Sequence, residues 1–224
     1  MSFKLFMKTP TWEEALDDGQ SSPILHEEER DETLQMDRST CPWGDLETRE
    51  FCVSFLKEWT VSFTATIVFD STVDEFTGDG LFNKVKGKEN IAIIGTTTDG
   101  DVFGGFYSEA VTEQDQEFYD REIFAFSFES HGRCKTPQQF FVKDLRKKDV
   151  RVCFDSDDKN GFVDFWVEGV GGFVLGNEKS NSFCNSLFRI FDRLDDTALS
   201  GQLNGTWASG PFHHCSRLMA VQLG

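Results

Sequence analysis

The sequence predicts a β-rich α+β fold, a two-sheet antiparallel β-sandwich flanked by a few short helices. Three observations predict it. Phenylalanine dominates the apolar content, with 24 Phe against 2 Tyr in 224 residues, and aromatic side chains fit a pleated surface better than a helix. Short apolar runs recur between Gly, Asn and Asp turn signals through most of the chain. Only one or two segments carry a helical period, and many short strands with few helices close as a sandwich. A chain of this length buries a real core without disulfide or metal staples.

The elements follow in order. From Pro10 to about Leu46, Glu13-Glu14, Asp17-Asp18 and Glu27-Glu28-Glu29-Arg30-Asp31-Glu32 alternate with Gly, Ser and Pro. Such a segment buries too little apolar surface to offset its ordering entropy. It reads as an acidic, disordered N-terminal arm over residues 1–45, ahead of a folded domain over residues 46–224. The arm is either a solvated tail or a binding arm that docks Trp12, Leu16 and Leu34. Phe51, Phe55 and Trp59 then recur at i, i+4 and i+8, with Val53 and Leu56 alongside, which predicts an amphipathic helix. Val61 to Phe69 alternates, predicting a strand that buries Val61, Phe63, Ala65 and Ile67. A short helix is expected around Leu81, Phe82 and Val85, interrupted by Gly78 and Gly80. Ile91–Gly95 and Val102–Tyr107 flank Asp99-Gly100, a pair that supplies the positive φ angles of a tight hairpin turn. Further strands are expected at Ile123–Phe128, Gln139–Val142, Val150–Phe154, Phe162–Val167, Gly172–Leu175 and Cys215–Leu223.

Charge narrows the function. The formal net charge is -17 and the pI is near 4.5, so phosphate backbones and anionic membrane surfaces repel the chain. Direct nucleic-acid contact is therefore not expected. The N-terminus carries no secretory apolar run, and no stretch approaches a membrane span, so a cytoplasmic or nuclear protein is expected. In that compartment the six scattered cysteines read as reduced thiols, and the Asn204-Gly205-Thr206 sequon is silent.

No motif assembles a reaction centre. Asp155–Asp164 resembles a calcium loop until Gly161 is aligned, which puts Val167 where a bidentate Glu is required. His213-His214-Cys215 puts His213 and Cys215 on one strand face without a second ligand pair. There is no nucleophile elbow and no P-loop, and Gly169-Val170-Gly171-Gly172 reads as a turn. No cofactor is expected. Glu109 and Glu122 stand beside apolar strands, where two carboxylates either act as acid and base or cap turns and face solvent. The enzymatic alternative is stress chemistry through Glu109 and Glu122, or through a reactive thiol such as Cys153 activated by Arg151 and Lys159.

One further reading rests on motif order. The run Asp99-Gly100-Asp101-Val102-Phe103-Gly104-Gly105-Phe106-Tyr107-Ser108-Glu109 is followed by Phe118-Tyr119-Asp120-Arg121-Glu122-Ile123-Phe124-Ala125-Phe126-Ser127-Phe128. Order and spacing resemble the TLDc family over roughly residues 60 to 224. The sequence departs from the family where Asp120-Arg121 replace Gly-Thr-Gly before the second Glu. The resemblance implies a two-sheet sandwich without settled enzymatic activity, associated with oxidation resistance and with binding and regulating the vacuolar proton-pumping ATPase. It also implies that Phe103, Gly104, Gly105, Ser108, Glu109 and Glu122 are the family's characteristic residues, structural or interacting in role.

Overall fold

Helix α1, Leu46–Thr60, opens the part of the chain described by the computed structural model, which comprises residues 46–180, 182–195, 197–200 and 213–224. The expected arm with Trp12, Leu16 and Leu34, and the Asn204 sequon, lie outside the described residues. The helix buries Cys52 and Leu56 completely, with Val53, Phe55 and Trp59 packed beside them. Phe51, expected on that face, is 38% exposed. The aromatic ladder runs along one edge of the contact, and Trp59 stacks on Phe128 at 5.5 Å.

The chain past the helix departs from the expected strand. Ser62 N donates to Lys57 O at 2.9 Å and Val61 N to Glu58 O at 3.3 Å, with Val61 at φ 54. This is a Schellman closure, which satisfies the last helical carbonyls and reverses the chain. Val61 and Phe63 are consequently 82% and 87% exposed, not buried. Strand β1 begins only at Ala65 and ends at Asp70. Its register against the C-terminal strand slips between Ile67 and Phe69. That bulge moves burial to the other face of the sheet: Ile67 stays 39% exposed while Phe69 is fully buried. Helix α2, Gly78–Val85, is capped by the Thr77 side chain. Its two glycines lie in the first turn, where a Cβ on Gly80 would sit 2.3 Å from Glu75 O.

Ten further strands complete two sheets among the described residues. They are β2 Ile91–Thr97, β3 Val102–Tyr107, β4 Phe118–Tyr119, β5 Phe124–Glu129, β6 Gln138–Phe141, β7 Val150–Phe154, β8 Val163–Val167, β9 Gly171–Leu175, β10 Cys184–Asn185 and, last, β11 Cys215–Leu223. With β1, the first sheet runs β1-β11-β2-β3-β5-β6 and the second β10-β9-β8-β7-β4. All pairings are antiparallel. The C-terminal strand therefore lies inside the first sheet, between two strands from early in the chain. The expected β2–β3 hairpin forms, but its turn is a three-residue loop. Gly100 N donates to Thr97 O at 3.0 Å, and Gly100 alone takes positive φ, the arrangement of a type I turn closed by a left-handed residue. Two-residue strands β4 and β10 carry no period of their own and were not expected.

Burial divides into two clusters. One fills the space between the sheets, with Phe69, Phe103, Phe154, Phe162, Phe165, Phe173 and Phe191 at its centre. The other lies between α1 and the outer face of the first sheet. One ion pair is buried with them: Arg217 of β11 donates through Nε and a terminal nitrogen to the Asp70 carboxylate, at 3.1 and 2.6 Å. Burial pushes Asp70 upward, but hydrogen bonds from Arg217 and Thr72 outweigh it and hold the carboxyl below its ordinary range.

Candidate functional site

The motif residues divide into a buried part and an exposed part. Phe103, Gly104 and Gly105 are buried on β3. Phe103 meets Phe173 of the opposite sheet at 6.0 Å. A Cβ on Gly104 would lie 1.8 Å from Ile93 O, and one on Gly105 within 2.5 Å of the Phe165 ring. The paired glycines thus let β2 and the second sheet approach β3 more closely than any side chain permits. Their chemistry is packing.

Ser108, Glu109 and Glu122 lie at the end of β3 and the entry to β5, and a buried residue joins them. Asp120, 3% exposed, accepts from Ser108 N through Oδ2, and from Glu109 N at 3.1 Å through the same oxygen. Its Oδ1 accepts from Ser108 Oγ at 3.0 Å and from Glu122 N at 2.8 Å. One carboxylate therefore closes the excursion on which the chain leaves the first sheet, pairs briefly as β4 with β7, and returns as β5. The rest of the loop is stitched to its surroundings. Asp115 N donates to Phe154 O at 2.8 Å, and Ser156 N donates back to Asp115 Oδ1 at 2.7 Å. Gln114 Nε2 reaches Asp79 Oδ1 of α2 at 2.9 Å.

This geometry gives Glu109 and Glu122 a definite place. Their backbone N–H groups are the bound parts, while both residues are exposed. The structure brings the two glutamates to one corner, held there through the Asp120 carboxylate. Sequence reasoning noted Asp120 only as a departure from the family pattern. Its signal was an Asp two residues before the N–H it binds, an Asx turn at the mouth of a strand.

The remaining candidates stand apart from this corner. Burial pushes the Cys153 thiol up to about 12, and Asp164 and Asp155 add to this against Arg151. The enzymatic alternative needs Arg151 to activate that thiol, but burial and the neighbouring carboxylates outweigh it. Cys215 is likewise raised to about 12 by burial. The 155–164 segment forms a 3-10 turn at Asp158–Asn160, and Asp158 Oδ1 accepts from Gly78 N at 2.7 Å, tying the turn to α2. His213 and Cys215 are both buried. Burial drives the His213 imidazole down to about 3, with Val174 backbone opposing weakly. Among the described residues no three His, Cys, Asp or Glu side chains converge as a metal site, and no helix is long and apolar enough to cross a membrane.

These features define a class: a two-sheet sandwich whose motif glycines hold the sheets together and whose motif glutamates are presented outward around one closed loop. The chain belongs to the TLDc family, since the TLDc domain matches residues 49–190, well over half of its length. No curated protein matches it.

Proposed function

We propose that the chain is a non-catalytic protein-interaction domain that binds and regulates the vacuolar proton-pumping ATPase from the cytoplasm, as part of an oxidative-stress response. TLDc membership over residues 49–190 carries this reading, because the pump is the partner associated with that family. The site chemistry supports it. Glu109 and Glu122 are exposed, and the Cys153 and Cys215 thiols are pushed away from the reactive thiolate. An acid–base pair needs a positioned substrate and a nucleophile or activated water; a docking edge needs only exposed polar groups on a rigid base. The acidic arm, residues 1–45, tunes or masks that edge in this reading.

Affinity capture from native lysate with the tagged full-length chain tests it. Recovery of peripheral ATPase subunits, reduced when Glu109 and Glu122 are both changed to Lys, is the expected result. Capture without those subunits removes the pump from the reading. Running residues 46–224 alongside gives the sign of the arm's effect.

A further inference from the structure

One corner of the domain carries charge opposite to the rest of the chain. The turn after β6 and the segment before Leu194 are stitched together: Lys143 N donates to Ile190 O and Asp192 N to Phe141 O, both at 2.8 Å. Over residues 141–149 and 188–193, six Lys and Arg stand against three Asp. The corner is therefore +3 in a chain of -17, which leaves -20 for everything else. Asp144 and Asp149 are engaged by Lys147 and Arg146. Lys148, Arg189 and Arg193 have no ion-pair partner among the described residues.

The same two segments expose apolar side chains. Phe141 is 54% exposed, Leu145 85% and Phe188 49%, and the Arg189 guanidinium lies over the Phe188 ring at 5.5 Å. A single exposed Leu or Phe is ordinary. Three of them among unpaired cations, on a surface otherwise acidic, match the composition of binding surfaces, where aromatic residues and Arg are enriched.

We propose that this corner binds a short acidic peptide segment of a partner protein, one that carries an aromatic or leucine side chain among its carboxylates. Charge complementarity selects an anion, and the exposed rings select an apolar side chain beside it. Range selects a short segment over an extended surface. A membrane or a nucleic acid is an extended polyanion that reaches past the corner to the acidic surface around it. A single peptide strand stays over the corner, while charges beyond about 8 Å are largely screened at physiological salt. The inference rests on the interaction-domain reading and adds the surface and the chemistry of what it takes.

The test is panning of a random library of short displayed peptides on the full-length chain, followed by titration of the enriched peptides. Enrichment of sequences that combine Asp or Glu with Phe, Trp or Leu is expected. The exposed triple variant Lys147→Glu, Lys148→Glu, Arg189→Glu is expected to weaken their binding about tenfold. The charge-matched control Lys57→Glu, Lys88→Glu, Lys179→Glu changes net charge equally and should weaken it no more than about twofold. Equal losses in both variants, peptides without acidic bias, or corner-dependent binding of phosphatidylserine vesicles without peptide binding would each overturn the proposal. Peptides that bind a different face would remove this corner and leave the interaction-domain reading intact. Failure to capture ATPase subunits would remove the pump and leave peptide binding here unchanged.

Discussion

Asp120 and Glu109 carry the same charge within one loop and do opposite things. Asp120 is buried and satisfies four donors, whereas Glu109 contributes only its N–H and leaves its carboxylate outside. Removing a buried acceptor strands its donors, at about 1–3 kcal/mol for each group left unsatisfied, less whatever water recovers. Asp120→Ala is therefore expected to lose about 2–4 kcal/mol in urea unfolding, with the denaturant slope unchanged. Glu109→Gln and Glu122→Gln should fall within about 0.5 kcal/mol of the parent. If either glutamate variant proves as destabilising as Asp120→Ala, its side chain is structural and the exposed edge is misassigned.

At the scale of elements, legibility followed locality. The β2–β3 hairpin was readable because its turn residues and both strands sit within one stretch, and the strands from β7 to β9 were readable for the same reason. The face of β1 was not. A perfect alternation from Val61 to Ile67 predicted burial of a face that the helix closure at Val61 and the bulge before Phe69 turn outward. Neither event leaves a glycine or proline to announce it. The place of β11 was also illegible, since its neighbours β1 and β2 are far away in sequence. Helix α1 lies between these cases: its existence was plain and Leu56 was read on its apolar side, but Phe51 was read there in place of the buried Cys52. The difference is measurable. Leu56→Ala, at full burial, should cost about 2–5 kcal/mol. Phe51→Ala loses chiefly its edge contact with Phe55, at 5.0 Å, and should cost about 1 kcal/mol. Equal costs at both positions would restore the face that the periodicity suggested.

Among the described residues, two groups shifted by burial oppose one another as pH changes. Burial raises the Asp164 carboxyl from 3.8 to about 7, against the pull of Arg151, and its Oδ1 is buried without a hydrogen bond. Burial lowers His213 from 6.5 to about 3. Below pH 3.8, Asp164 is protonated in both folded and unfolded chains and costs nothing. As pH rises toward 7 the unfolded chain releases that proton while the folded chain keeps it, so stability falls. His213 has the reverse sign: above pH 6.5 it is neutral in both states, and as pH falls toward 3 only the unfolded chain gains a proton, so stability is again lost. Across roughly pH 4 to 6.5 the two slopes run against each other. Asp164→Asn removes one slope and exposes the other. Its stability relative to the parent should be unchanged near pH 4, rise through pH 4–7 and level off above, by on the order of 2 kcal/mol because the partly exposed carboxylate and Arg151 moderate the penalty. Urea midpoints of both proteins across that range decide it. A difference independent of pH would mean that Asp164 ionises normally in the fold, and that a positively charged neighbour or water reaches the oxygen described here as isolated.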